Sequence, residues 1–559
     1  MFRKDYDMSS EYTLEQEITL LEQDYGLLRE NLAELHQEEK HTPHVAAKRL
    51  LLEKIKTLRE ETMELKGRLD ELKTEKQGKE GDTHSADFIC NVPPLPPHLL
   101  TNNSFNEFKA TLVTQMSQQD KFYRQKTPLL LNAPSGRGKS VLVSQLAYDA
   151  SIRRTFKDGI IWVELGQNPD ILGELVNIIK ILGESHDSFF TVEEAISYLQ
   201  SLAEESHCLL LLDDAWTVQN IMPFTQLSKS WQIVITTTNG LLLKQVRDFI
   251  PNVKGYRLAK YDESQSMHYF SHCLQQPLEA VADEAREVVH LCEFSPAAIH
   301  LFAGTLLNTS TSHWRAIFDD IQNVEVNNQL QHFEPTILMQ ALETNITNLG
   351  EQSDPYLTLT VFKNCMGIPF NAITTLWHYL YQYTPEQTRQ LLERFALHGL
   401  LQLQGDTING FTVNLQRFQK YYIDQVTDGD SFHEHLLRAY RRCCGTYGWS
   451  QGPNDRYFFE NLCYHLVCTE RKREAKSLLL DFDWLYKKVQ LCSLHSIMND
   501  FALLHVPELD SIKQALQNAN RVLIEDKQQF AIEILKYLGR NTHPEIQLLL
   551  NQAREIAPD

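Results

Sequence analysis

Apolar residues at Leu14, Ile18, Leu21, Tyr25, Leu28, Leu32 and Leu35 step alternately by four and three, the a/d seam of a coiled-coil helix. A second seam runs through Leu51, Ile55, Leu58, Thr62, Leu65, Leu69 and Leu72. His41-Thr-Pro-His44 separates them, and a proline there should stop the first helix. Two helices of similar length around one break read as an antiparallel helical hairpin; an intermolecular coiled coil kinked at the break is the alternative. A solvated helix without a partner would leave a whole row of apolar positions facing water. Lys73 to Asp87 is rich in Lys, Glu, Gly and Thr and reads as a linker, followed by the stiff extended arm Val92-Pro-Pro-Leu-Pro-Pro-His98.

Beyond this arm the period changes. Short apolar runs at Thr127–Asn132, Gly159–Leu165, His207–Leu212 and Trp231–Thr237 alternate with helical stretches, as expected of strands buried on both faces of a parallel sheet. After Thr309 the pattern is helical, except for a β-like hairpin at Leu400–Val413; helices followed by a short wing are the signature of a winged helix. The fold class expected is therefore multidomain α/β plus α. It comprises an N-terminal coiled coil or hairpin (1–76), linker and proline-rich arm (77–98), an α/β core with a parallel sheet (99–250), a small helical domain (251–308), a winged helix (309–428) and a C-terminal helical domain (429–559).

The 559 residues are too many for one compact core. No run approaches the roughly 18 apolar residues of a membrane span, and the acidic start has no signal-peptide core. The ten cysteines show no CxxC spacing, which favours reduced thiols and a cytoplasmic location. A net charge of −20 argues against non-specific binding to nucleic acid, whose phosphates reward Lys/Arg patches, without excluding a small basic face.

The chemistry is concentrated in Ala133-Pro-Ser-Gly-Arg-Gly-Lys-Ser140, between the strand Pro128–Asn132 and a helix running Val141–Ala147. That context suits a Walker A loop. Gly136 and Gly138 allow successive backbone N–H groups to face phosphate oxygens, and Ala133, Pro134, Ser135, Arg137 and Val141 complete the loop's lining. Lys139 should reach the β/γ-phosphates of ATP or ADP, and Ser140 should place its hydroxyl on Mg2+. His207-Cys-Leu-Leu-Leu-Leu-Asp-Asp-Ala-Trp216 reads as Walker B, with Asp213 on the metal and Asp214 orienting the attacking water or acting as base. The threonines ending Trp231–Thr237, Thr237 in particular, either report on the γ-phosphate or reflect plain β-propensity.

This order of motifs resembles the STAND/NB-ARC P-loop ATPases, which include plant resistance proteins, animal apoptotic protease-activating factors and bacterial AP-ATPases. The resemblance covers Val92 to the C-terminus. It implies that Leu100 lies beside the adenine, that Leu210–Trp216 is the family's Walker B, and that Pro296 of Phe294-Ser-Pro-Ala-Ala-Ile299 touches the base. Several positions depart from the family pattern: Asn102 and Thr238 stand where arginines are expected, Phe294 replaces a glycine, and Val413 of Thr412-Val413-Asn414 replaces the histidine that would touch ADP. The resemblance also implies a C-terminal repeat sensor, and the sequence stops at Asp559, about where one would begin.

Three functions follow. One is an ATP/ADP switch with slow hydrolysis that controls oligomerisation and a protein partner through the coiled coil. The second is a nucleotide-stapled scaffold that binds a protein without turnover. The third, a DNA-binding regulator, is disfavoured because Pro385–Leu397 carries only Arg389 and Arg394.

Overall fold

The computed structural model describes residues 88–96, 103–117, 127–183, 189, 191–204, 206–280, 282–307, 309, 313–315, 317–319, 335–363, 367–406, 410–446, 448–504 and 506–557. Both heptad seams, most of the linker, Leu100 and Asn102 lie outside these residues.

Six strands form one parallel sheet: β1 (Ile89–Cys90), β2 (Leu129–Asn132), β3 (Gly159–Gly166), β4 (Cys208–Ala215), β5 (Gln232–Thr237) and β6 (Lys254–Arg257), in the order β1-β3-β4-β5-β2-β6. The central strands are apolar on both faces, and Leu130, Ile161, Leu210, Leu212 and Ile235 are buried in the sheet's core. Four strands fall where the apolar runs place them. The sheet nonetheless extends past both limits expected for the nucleotide-binding core. β1 pairs with β3 from within the supposed linker, and the Asn91 side chain extends that edge, donating to the Trp162 carbonyl and accepting from its N–H at 2.9 and 2.6 Å. β6 pairs with β2 beyond residue 250. Its Lys254 and Arg257 are exposed, as suits a charged edge strand.

Helices pack on the sheet between strands, and their starts are fixed by side-chain caps: Asp149, Asp170, Thr191 and Thr217 each accept backbone N–H groups of the following helix. The helix after the phosphate loop spans Lys139–Tyr148, beginning two residues earlier than its apolar run.

From Met267 to Ala553 the buried apolar residues form one connected cluster, so the limits at 308 and 428 are not breaks in the packing. Within it, β7 (Ile368–Pro369), β8 (Gln402–Asp406) and β9 (Gly410–Asn414) make a small antiparallel sheet ordered β7-β9-β8. The hairpin was legible in sequence, but the two-residue strand β7 was not. Helices Phe370–Tyr381 and Pro385–Leu397 precede the hairpin, and Arg417–Val426 follows it. Helices from Gly429 to Ile556 complete the cluster. No described helix is long and apolar enough to cross a membrane.

Candidate nucleotide site

In the order β4-β5-β2, three neighbouring strands bring their carboxyl ends together, and the loop Ala133–Gly138 leaves β2 at that edge. Such an edge is where open α/β sheets bind ligands. Gly136 and Gly138 have φ of +74° and +85°, which an L-residue with a Cβ rarely holds. Gly138 caps the helix Lys139–Tyr148 without any side-chain hydrogen bond to the first-turn N–H groups. Those N–H groups, a buried ammonium and the positive end of the helix suit an anion. Lys139 Nζ reaches back over the loop and donates to the Pro134 carbonyl at 3.0 Å.

The Ser140 hydroxyl lies 3.0 and 2.8 Å from the two oxygens of Asp213, and Thr236 Oγ1 donates to the same carboxylate at 2.5 Å. Burial raises the carboxyl pKa of Asp213 above the ordinary value, with the charge of Asp214 adding to it, while Thr236, Ser140 and Lys139 oppose the shift. A hydroxyl and a carboxylate converging beside a phosphate cradle are oxygen donors that fit Mg2+. Thr236 also accepts the Asp214 backbone N–H at 2.9 Å. Thr237 does not join this cluster: its hydroxyl donates to the Ala215 carbonyl and accepts from the Asn239 N–H, so the threonine against the acid is its neighbour.

The outer side of the loop is tied to the helix Pro296–Leu306. The Gly136 carbonyl accepts from the Ser295 hydroxyl at 3.2 Å and from the Ala297 N–H at 3.1 Å. Arg137, buried, donates to the Glu293 carbonyl at 2.7 Å. A Cβ on Gly136 would meet Ala297, Ser295 and Leu338 at 3.0 to 3.3 Å. These contacts place Pro296, the first residue of its helix, next to the loop. Phe294, where a glycine was expected, has φ of +59°, so the backbone keeps the glycine-like conformation without the glycine.

Asp214 is engaged as well. Its Oδ1 accepts from the Trp216 indole at 3.1 Å, and its Oδ2 pairs with Arg417. Beside the acids, half-buried Glu164 on β3 has its carboxyl pKa pushed up to about 7 by burial, then by the charges of Asp213 and Asp214, against the opposing pull of Arg417. Thr236 was one of the threonines the sequence offered, though Thr237 was preferred to it; Glu164, Ser295, Leu338 and Arg417 were not singled out. An acid inside the apolar run Gly159–Leu165 was the one available signal, for Glu164. Val413, the position of the missing histidine, is fully buried on β9, and Asn414 accepts the Gly367 N–H and donates to Gln404.

The NB-ARC domain family model matches residues 110–266, and that of the APAF-1 helical domain matches residues 430–557. Apoptotic protease-activating factor 1 of Danio rerio is 24% identical over 403 residues, which cover 66% of this chain and 30% of that protein. The Homo sapiens protein of the same name is 22% identical over 440 residues, covering 74% and 33%. A probable disease resistance protein of Arabidopsis thaliana is 25% identical over 284 residues, covering 49% and 34%. The chain thus spans about a third of the length of these relatives. Together with the phosphate loop, the paired acids and the parallel sheet, these matches establish that the chain belongs to the STAND/NB-ARC P-loop NTPases.

Proposed function

We propose that the chain is an ATP/ADP-binding switch, with Mg2+ held by Ser140 and Asp213 and with slow hydrolysis, that signals through a protein partner and self-assembly. ATP supplies the γ-phosphate by which two states differ. Lys139 and the first-turn N–H groups of Lys139–Tyr148 hold the phosphates. Asp214 takes the proton of the attacking water as the water oxygen bonds to the γ-phosphorus and the bond to the bridging oxygen, which leaves on ADP, breaks.

The observation that carries this reading is the double attachment of the phosphate loop. On its inner side it meets the acids through Ser140; on its outer side it meets the helix Pro296–Leu306 through Gly136 and Arg137. A change in bound phosphate therefore acts on both neighbours at once. A ligand shifts such an equilibrium by its differential affinity for the two conformations. In this reading 309–428 is a winged helix built on β7–β9, and 429–559 is the following helical domain. The N-terminal heptad segments carry the partner contact, and the location is cytoplasmic. The domain limits are best drawn at 88–260 for the nucleotide core, because β1 and β6 belong to its sheet.

The test is Lys139→Ala. Removing the buried cation aimed at the phosphates should cost about two to three decades of ATP affinity by calorimetry. Affinity equal to the unmodified protein would overturn the assignment.

A further inference from the structure

Arg417 is the first residue of the helix Arg417–Val426, three positions beyond the end of β9, yet its guanidinium lies on the nucleotide core. Nη1 pairs with Asp214 Oδ2. The guanidinium carbon stands over the Trp216 ring, 4.8 Å from its centre. It also rests against Gly166, where an added Cβ would meet Nη1 at 3.1 Å. Gly166 and Trp216 lie at the ends of β3 and β4, so all three contacts fall on the sheet edge beside Ser140 and Asp213. The pair is mostly shielded from water, with side-chain exposures of 30% and 16%.

Asp214 is also one of the described non-glycine residues with a left-handed backbone, at φ +55°. A residue keeps such a conformation when its surroundings impose it. With Oδ2 on Arg417 and Oδ1 on the Trp216 indole, both carboxylate oxygens have partners, and one of those partners comes from a part of the chain 203 residues away.

We propose that Arg417 is a positioning residue that clasps the β7–β9 unit to the nucleotide core through Asp214. The clasp turns the second Walker B acid away from the attacking water until that unit moves. The effect on turnover rests on the nucleotide-switch reading above; the clasp itself does not. Arginine is suited to the task because its planar fork can pair with a carboxylate and stack on an indole at the same time, which a lysine cannot do.

The experiment uses the full chain with Arg417→Gln, Arg417→Lys, Asp214→Asn, and Arg417→Gln combined with Asp214→Asn. Hydrogen exchange of the nucleotide-free protein is read first. Arg417→Gln should raise exchange in Gln402–Asn414 and at the end of β3 while leaving the helices from Phe458 to Leu504 unchanged. Asp214→Asn should do the same, and the double variant should add nothing, because both remove one interaction. Arg417→Lys should recover part of the protection. With Mg-ATP, Arg417→Gln should release nucleotide about ten-fold faster and turn ATP over faster, the scale of losing one charge-assisted hydrogen bond. Additive effects in the cycle, or exchange rising throughout the chain, would overturn the clasp. So would slower turnover with binding intact, which would place Arg417 in the transition state instead. If the unmodified protein binds no nucleotide, the switch reading fails, while the exchange comparison still decides the clasp.

Discussion

The Ser140 hydroxyl and the Asp213 carboxylate, 73 residues apart in sequence, meet at 2.8 Å where the phosphate loop passes the end of β4. Each also has a role that the other supports. Ser140 is the second residue of the helix after the loop, and Asp213 lies near the end of a strand whose apolar residues are fully packed.

Ser140→Ala removes one of two oxygen donors at the proposed metal position and leaves Asp213 with Thr236. The alanine keeps the helix, since it is the best helix former. Magnesium-dependent ATP affinity should fall by about ten-fold or more, the scale of one hydrogen bond to a charged group. Affinity in EDTA should change much less. Calorimetry with and without magnesium separates the two, and an equal loss in both conditions would mean that Ser140 acts on the phosphates alone.

Much of this site was legible because its parts are local. The loop 133–140 and the acids after Leu212 each announce themselves within ten residues, and β2 to β5 are apolar on both faces, which produces continuous runs. The edges were not legible for the opposite reason. β1 and β7 are two residues long, and β6 reads Lys-Gly-Tyr-Arg, so backbone pairing rather than side-chain pattern defines them. Register was the other limit. Thr236 and Thr237 look alike in a run of three, and only the pairing of β5 with β2 and β4 decides which one faces Asp213. Arg417 could not be found at all, because its partner is distant in sequence and nothing near it hints at a carboxylate.

A second contact joins distant parts of the chain. Asp170 caps the helix Ile171–Ile181 through the Gly173 N–H, and its other oxygen accepts from His495 at 2.7 Å and from Asn499 at 2.9 Å. Burial pushes the Asp170 carboxyl upward, but His495, the Gly173 N–H and Asn499 outweigh it and hold the group well below the usual carboxylate range. A pKa lowered on folding stabilises above the unfolded value, about 3.9, and that stability is lost as pH falls further. Asp170→Asn keeps a capping side chain but removes the charge. Because Asp170 is half exposed, the loss at pH 7 should be below about 1 kcal/mol, and it should shrink below pH ~4. Urea unfolding at both pH values measures this, and a difference independent of pH would show that the charge contributes nothing.

The buried pair His433 and His465 predicts a loss of stability at milder acidity. Their Nδ1 atoms are 2.7 Å apart, so one must donate and the other accept. Tyr457 accepts the Lys363 N–H and so can donate its own hydrogen to His465 Nε2 at 3.0 Å; His465 then carries its proton on Nδ1. Burial, followed by the charges of His433 and Lys363, lowers the His465 pKa well below the ordinary value. The unfolded chain therefore takes up this proton first, and stability should fall as pH drops below about 6.5, by at most about 1.4 kcal/mol per pH unit. His465→Gln retains a polar partner but cannot titrate. Its unfolding free energy should be lower at pH 7 by about 1 kcal/mol and should lose this contribution to the slope between pH 7 and 5.5. An unchanged slope would assign the acid sensitivity to other groups.

The last prediction concerns how strongly the two nucleotides are told apart. Val413 is fully buried, its strand pairing with Ile368 and Leu403, and an isopropyl group can neither donate to a phosphate nor carry charge. Thr238 likewise stands without charge where an arginine would sense the γ-phosphate. Among the described residues, discrimination is left to Lys139, Ser140 with the proposed metal, and the attachments of Gly136 and Arg137. In the proposed site the loop amides, and Lys139 in part, serve the β-phosphate common to both nucleotides. ATP and ADP should therefore bind within about ten-fold of each other, a difference of ~1.4 kcal/mol. That is far short of the roughly 10⁴-fold preference needed to drive a two-state equilibrium from one side to the other. Assembly state and compactness, followed by light scattering and small-angle X-ray scattering, should change only modestly between the two ligands. A hundred-fold or greater preference for ADP, or assembly strictly dependent on ATP, would show that other residues sense the γ-phosphate. Arg417 would then be the first to test, because it joins the β7–β9 unit to an acid beside the proposed metal position.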